Sequence, residues 1–295
     1  MKIGLVVPVA AGDGRGAGAP SWPEIQAFGQ RAEALGFDSL WAPDHLLPRL
    51  DAVGGPGAIH EVWTIVSALA ASTSRIEIGT LVIAVPWRNP ALLAKMAVSA
   101  DEVSGGRLIL GIGTGYHEPE FAAFGFPPAA DRPVSRFEEA LHVIVPLLRG
   151  ETVTFEGRFA SVHECVLLPA PARRIPVLIA ARGPRMLRLT ARWADAWNTA
   201  WFPRPDDRLE ARFAALDEAL AAEDRAPDSI VRTVGMRVGD EPPDEVAEAL
   251  AGFASRGVDH LIVGIKPPRD ERSLERLARA VETYRAGTTV AAGGR

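Results

Sequence analysis

Short apolar runs alternate with amphipathic stretches along almost the whole chain, and this alternation is what most narrows the folds open to it. β-branched and other apolar residues crowd positions 3–9, 39–42, 76–85, 107–112, 175–180, 194–199, 230–238 and 260–265. Such near-continuous runs read as strands buried on both faces, as in a parallel sheet covered by helices. Between them, apolar positions recur at helical spacing. Ser21 stands as an N-cap ahead of Pro23, Ile25, Phe28, Ala32 and Leu35 share one face, and Gly36 marks the stop. Residues 61–72, 89–103, 133–148, 184–193, 206–223, 244–256 and 274–285 read the same way. Eight strand-then-helix units within 295 residues predict an α/β chain forming a (β/α)8 TIM barrel with right-handed crossovers. A doubly wound open sheet is the alternative, because alternation alone does not close a barrel.

One stretch breaks the rhythm. Residues 151–168 carry a strand-like run turning at Glu156-Gly157, which predicts a β-hairpin inserted into the barrel. Residues 10–20 and 118–131, rich in Gly, Ala, Pro and Phe, read as loops. The expected organisation is a single domain over residues 1–286 and a flexible C-terminal tail over 287–295. The formal net charge of -5, without a basic cluster, argues against a nucleic-acid partner. A single cysteine, Cys165, allows neither a disulfide nor a cysteine-rich metal site within one chain. No apolar run is long enough for a membrane span or a secretory signal, so the chain reads as cytoplasmic.

In such a barrel the chemistry lies at the C-terminal ends of the strands. Asp44-His45 follows the second run, Val82 to Arg88 with Trp87 lie around the end of the third, and Gly113 to Glu118, with Thr114, Gly115 and Tyr116, follows the fourth. Ala181-Arg182-Gly183-Pro184 follows the fifth, Trp201-Phe202 the sixth and Lys266 the eighth. His45 is the acid/base candidate, since imidazole titrates near neutrality; a structural loop histidine is the bland reading. The spacing Gly111-x-Gly113-x-Gly115 is not that of a dinucleotide fingerprint. Those glycines point either to a ligand lying on the backbone or to tight packing. At Ala181 to Pro184 a strand gives way to a helix N-terminus, which suits a phosphate. Lys266 could form a Schiff base. No pair of the remaining histidines has helical metal-ligand spacing, so no metal site is expected.

The motifs Gly36-Phe37-Asp38-Ser39-Leu40-Trp41-Ala42-Pro43-Asp44-His45, Thr73-Ser74-Arg75-Ile76-Glu77-Ile78-Gly79-Thr80, Asn89-Pro90-Ala91, Ser104-Gly105-Gly106-Arg107-Leu108 and Arg192-Trp193-Ala194-Asp195-Ala196-Trp197-Asn198 occur in this order. With them the chain resembles the bacterial luciferase-like superfamily, and Asp-His after the second strand looks most like its coenzyme F420-dependent branch. The resemblance implies a deazaflavin ring across the barrel mouth. Asp44, His45, Leu81, Val82, Gly113, Thr114, Gly115, Ala181, Arg182, Gly183 and Pro184 would contact it, with a non-prolyl cis peptide near Leu81-Val82. His45 would be catalytic while hydride passes between cofactor and substrate. Sugar-phosphate dehydrogenases of this branch carry a glutamate where Tyr116 stands and a lysine near Trp201-Phe202. Trp87, Tyr116, Trp201 and Phe202 would then line a pocket for an apolar or aromatic organic substrate. A reduced-FMN monooxygenase is the alternative on the same fold, and a Schiff-base lyase or a non-catalytic cofactor-binding barrel is more distant. Relatives are often dimers, which makes a homodimer the expected assembly.

Overall fold

The computed structural model describes residues 1–10, 18–50, 55–267 and 269–293. Most of the loop expected over residues 10–20 therefore lies outside the described residues. Eight strands, β1 (Lys2–Val6), β2 (Ser39–Ala42), β3 (Glu77–Thr80), β4 (Leu108–Gly113), β5 (Val177–Ala180), β6 (Ala196–Thr199), β7 (Val231–Val238) and β8 (His260–Ile265), pair in parallel in chain order. The circle closes where β8 meets β1 through Lys2 opposite His260, and β4 meets β5 through Leu110 opposite Val177. The sheet is thus a barrel, and the open-sheet alternative falls.

The surrounding helices are α1 (Trp22–Ala34), α2 (Val62–Ser72), α3 (Pro90–Ser104), α4 (Glu118–Ala123), α5 (Pro133–Leu148), α6 (Pro184–Trp193), α7 (Asp207–Ala221), α8 (Pro243–Ser255) and α9 (Glu271–Gly293). Their starts follow from local chemistry. Ser21 and Glu24 exchange capping-box hydrogen bonds ahead of α1, and Asn89 Oδ1 accepts from the Leu92 N–H to open α3. Gly105, in the left-handed region at φ 68°, ends α3, where only glycine is unstrained. The hairpin appears as Val153–Glu156 paired antiparallel with Ser161–Cys165, between α5 and β5. Three sequence expectations need correction. The third run breaks at Leu81-Val82, leaving β3 and a two-residue segment, Ile83–Ala84, that pairs with β4. The expected loop 118–131 begins with α4. The last helix continues beyond Arg285 to Gly293, through residues expected as a tail.

Two apolar layers result. The larger packs the helices onto the outer face of the barrel through Leu40, Ile78, Leu110, Ile179 and Leu261. The smaller fills the interior with Trp41, Leu178, Ala196 and Ile262. Trp41 dictates its neighbours. A Cβ at Gly79 would meet its ring at 2.3 Å, and one at Gly4 would meet Ser39 Oγ at 2.1 Å. Its indole N–H donates to Ser39 Oγ at 2.7 Å, and Ser39 Oγ lies 2.7 Å from His260 Nε2. This polar chain sits at the closed N-terminal end of the barrel, away from the mouth. No helix among the described residues is long and apolar enough to cross a membrane.

Candidate active site

A cavity of about 780 Å³ opens at the C-terminal ends of the strands. Into it the structure brings Asp44 and His45 from the β2 loop, Leu81, Val82 and Trp87 from the β3 loop, and Gly113, Thr114, Gly115 and Tyr116 from the β4 loop. Ala181 and Arg182 after β5 and Trp201 after β6 complete the residues that sequence placed there. Three others stay out of the lining. Phe202 is buried in the outer core, because its backbone N–H is tied to the Gly235 carbonyl and its ring faces inward. Gly183 and Pro184 begin α6 behind the rim set by Arg182. Lys266 also lies outside, 3.7 Å from Glu241, so the Schiff-base reading loses its nucleophile in the pocket.

The glycine question resolves on distances. A Cβ at Gly111 would stand 1.9 Å from the Thr80 carbonyl oxygen, one at Gly113 2.8 Å from Val82 Cγ2, and one at Gly115 2.7 Å from Phe121 Cζ. Packing thus demands all three, and Gly115 adds a positive φ of 69°. Gly111 and Gly113 face Thr80 and Val82, which flank the ledge at the cis Leu81-Val82 peptide, whereas Gly115 faces Phe121 of α4. Beside the ledge, Thr80 Oγ1 donates to the Gly111 carbonyl and accepts from the Gly111 N–H.

His45 is held by a residue that sequence reading did not single out. Glu120, on α4 and fully buried, accepts from His45 Nδ1 at 2.9 Å and from the N–H groups of Leu46 and Leu47 at 2.9 and 2.8 Å. Burial pushes the Glu120 carboxyl up, but the Leu47 N–H and the His45 imidazole outweigh it, and the group ends below the usual carboxylate range. An ionised Glu120 fixes the tautomer: Nδ1 carries the proton, and Nε2 presents a lone pair to the cavity. Tyr116 Oη stands 3.4 Å from that Nε2, its ring edge-on to the imidazole. The only sequence signal for Glu120 was an acidic residue five positions beyond Gly115 in a presumed loop. His117, placed by sequence in the loop after the fourth strand but given no role there, sets Nδ1 3.3 Å from Glu120 Oε2, so His45, His117 and Glu120 converge.

Asp44 is organised differently. It is buried, receives two guanidinium bonds from Arg88, the shorter at 2.6 Å, and accepts the Ala84 N–H at 2.8 Å. Arg88 also reaches Glu61, the cap of α2, at 2.9 Å. Asp44 therefore ties the β2 loop to the β3 loop. Around the remaining wall, Arg182, Arg237 and Arg269 contribute positive charge, with Arg237 lying over the Trp201 ring at 4.9 Å. Arg182 donates to the Ala200 carbonyl. Three buried polar atoms of the lining have no hydrogen-bond partner: His117 Nδ1, which faces Glu120, and Trp87 Nε1 and Thr199 Oγ1. Buried polar groups are normally paired, so the last two fit a ligand that supplies the missing partners.

A parallel barrel with an oriented histidine at the mouth of a large, partly cationic cavity is the architecture of a cofactor-using barrel enzyme. The luciferase-like monooxygenase family model matches residues 1–293, and the chain belongs to that family. Among curated relatives, the F420-dependent glucose-6-phosphate dehydrogenase of Microbacterium testaceum is 33% identical over 227 residues, 76% of this chain and 66% of the relative. The phthiodiolone/phenolphthiodiolone dimycocerosates ketoreductase of Mycobacterium tuberculosis is 36% identical over 243 residues, 74% of this chain and 62% of the relative. The chain thus spans about two thirds of the length of these relatives. Among solved structures, an F420-dependent secondary alcohol dehydrogenase in complex with an F420-acetone adduct superposes with a TM-score of 0.80 at 18% identity, covering 96% of this chain and 98% of that one. That likeness shows the fold.

Proposed function

We propose that this chain is a coenzyme F420-dependent oxidoreductase that interconverts a carbonyl compound and its alcohol. The observation that carries the reading is the Glu120–His45 pair, which leaves the Nε2 lone pair of His45 facing the cavity, with Tyr116 Oη 3.4 Å from it. The two relatives named above support it: one is a dehydrogenase dependent on F420, and the other is a ketoreductase.

The cavity fits a flat, anionic cofactor. Leu81 and Val82 give a ledge for a ring, Thr199 Oγ1 and Trp87 Nε1 await polar partners, and Arg182 offers a cation beside the start of α6 for a phosphate. When bound, a deazaflavin supplies or accepts the hydride. His45 supplies the complementary proton. In the reducing direction an imidazolium at His45 gives its Nε2 proton to the carbonyl oxygen as the carbon takes hydride, and the other proton stays on Nδ1, hydrogen-bonded to ionised Glu120. In the oxidising direction bare Nε2 removes the hydroxyl proton. Tyr116, beside Nε2, lies where its hydroxyl reaches the same oxygen. Trp87, Tyr116 and Trp201 favour a substrate with an apolar or aromatic body. A cytoplasmic homodimer acting on a small molecule belongs to the same proposal. The exposed Leu92 and Val103 on α3, with Val166 and Leu168 nearby in the chain after the hairpin, give such a pairing its apolar surface.

The test is a titration of the cofactor-free protein with deazaflavin and with FMN, followed by turnover of reduced deazaflavin with a panel of ketones. Deazaflavin binding, and turnover lost in His45→Ala with binding retained, is the expected result. Tight FMN binding without deazaflavin binding would give the protein to the monooxygenase reading and overturn this one.

A further inference from the structure

We propose that His45, His117 and Glu120 form a binding site for a divalent transition-metal ion of the zinc type, and that occupancy switches His45 off as a base. The three side chains place their ligand atoms within 4.8 Å of one another. Glu120 Oε1 takes both backbone N–H groups, of Leu46 and Leu47, and lies 3.2 Å from His45 Nδ1, while Oε2 lies closer to that nitrogen and also faces His117. From Oε2, Nδ1 of His45 lies at 2.9 Å and Nδ1 of His117 at 3.3 Å. In a tetrahedral zinc site with bonds near 2.0–2.1 Å, neighbouring ligand atoms stand about 3.3 Å apart. The His117 separation is therefore already that of a ligated ion, and the His45 separation, now that of a hydrogen bond, needs to open by about 0.4 Å once the proton gives way to the ion.

A second observation points the same way. His117 Nδ1 is buried and makes no hydrogen bond, although a carboxylate oxygen stands beside it. A nitrogen lone pair aimed at the shared oxygen explains this, and a cation between the two is what would satisfy both. Two imidazoles and one carboxylate select zinc-type ions over Mg²⁺ or Ca²⁺, which prefer all-oxygen shells. All three residues line the cavity, so the remaining coordination positions open to water.

Coordination at Nδ1 of His45 requires that nitrogen without its proton. The proton moves to Nε2, no electrons are transferred, and the cavity then meets an N–H donor in place of a lone pair. This second half of the inference rests on the proposed role of His45; the metal site itself does not.

The test uses the full chain with metal alone. Titration with Co²⁺ should give one equivalent of a visible d–d band, displaced by Zn²⁺. ¹⁵N NMR of the unaltered protein should show Zn²⁺ shifting Nδ1 of His45 and His117 and sparing the remaining histidines. His117→Gln should weaken binding at least about tenfold, since even supporting groups around a metal contribute that much. Zn²⁺ should also inhibit turnover, and do so at least about tenfold less potently in His117→Gln, each rate referred to the same protein without metal. Absence of stoichiometric binding, or binding that survives both His117→Gln and Glu120→Gln, would overturn the site. Stoichiometric binding without inhibition would overturn the switch and count against His45 as the base, leaving the site in place.

Discussion

Replacing Glu120 by glutamine is the sharpest perturbation of the pocket, because it keeps the shape and changes only charge and proton placement. The side chain has three donors to satisfy: the N–H groups of Leu46 and Leu47 at 2.9 and 2.8 Å, and His45 Nδ1 at 2.9 Å. A glutamine has one carbonyl oxygen, and two backbone donors against one imidazole decide which way it points. Its NH₂ then faces His45 Nδ1, which must become an acceptor, so the His45 proton moves to Nε2. Hydrogen bonds to a charged group contribute about 1.5–3 kcal/mol and neutral ones about 0.5–1.5. The exchange should therefore destabilise the fold by about 1–2 kcal/mol, a fall of a few degrees in Tm for a domain of this size. Turnover should fall far more, by about 10²–10⁴, since wrong-tautomer substitutions in oriented acid/base pairs act on that scale. ¹⁵N NMR of the imidazole reads the tautomer directly, with no substrate needed. A variant that keeps the Nδ1-H tautomer and near-normal turnover would refute the reasoning.

Two further outcomes follow from the barrel. His260 is buried, with its pKa lowered from 6.5 to about 3 by burial first and then by Lys2 and the N-terminal ammonium. Between those values the unfolded chain takes up a proton that the native state refuses, so stability falls as pH drops below about 6.5, by at most about 1.4 kcal/mol per unit from this group; urea midpoints of His260→Gln should show a shallower acid slope, and an unchanged slope would exclude His260 as its source. Gly111→Ala should cost about 3 kcal/mol or prevent folding, because the added Cβ meets backbone at 1.9 Å, whereas Gly183→Ala, with nothing within 4 Å of the new atom, should stay within about 1 kcal/mol by thermal melting.

The barrel was legible because its strands are buried on both faces and so write themselves as unbroken apolar runs. His45, Tyr116, Arg182 and Trp201 were legible for a topological reason: in a parallel barrel, whatever follows a strand faces the mouth. What stayed hidden depended on contacts between distant segments. The break at Leu81-Val82 lies inside a run that looks continuous; the residues alone hid it, and only the family resemblance pointed to a cis peptide there. Phe202 follows Trp201 directly, and adjacent residues on an extended backbone point opposite ways. Glu120 lies 75 residues from His45, and the short helix carrying it has too few turns to show a periodic pattern.

The two buried carboxylates explain why the mouth can hold a histidine so firmly. An ionised carboxylate out of water is costly unless its lone pairs are filled, and a filled one becomes a rigid joint between the segments that supply the donors. Asp44 joins the β2 loop to the β3 loop through Ala84 and Arg88. Glu120 joins the same β2 loop to the β4 loop through Leu46, Leu47 and His45. His45 thus sits on a loop braced from both sides, its neighbour Asp44 held by one brace and its own ring by the other. Removing either acid strands a buried donor set, yet the consequences differ. Loss of Asp44 frees Arg88 and the loop backbone and acts on position, whereas loss of Glu120 also changes which imidazole nitrogen carries the proton. The adjacent pair Asp44-His45, which reads in sequence as one unit of chemistry, is in the folded chain one positioning acid and one histidine, the proposed acid/base, whose true partner is Glu120.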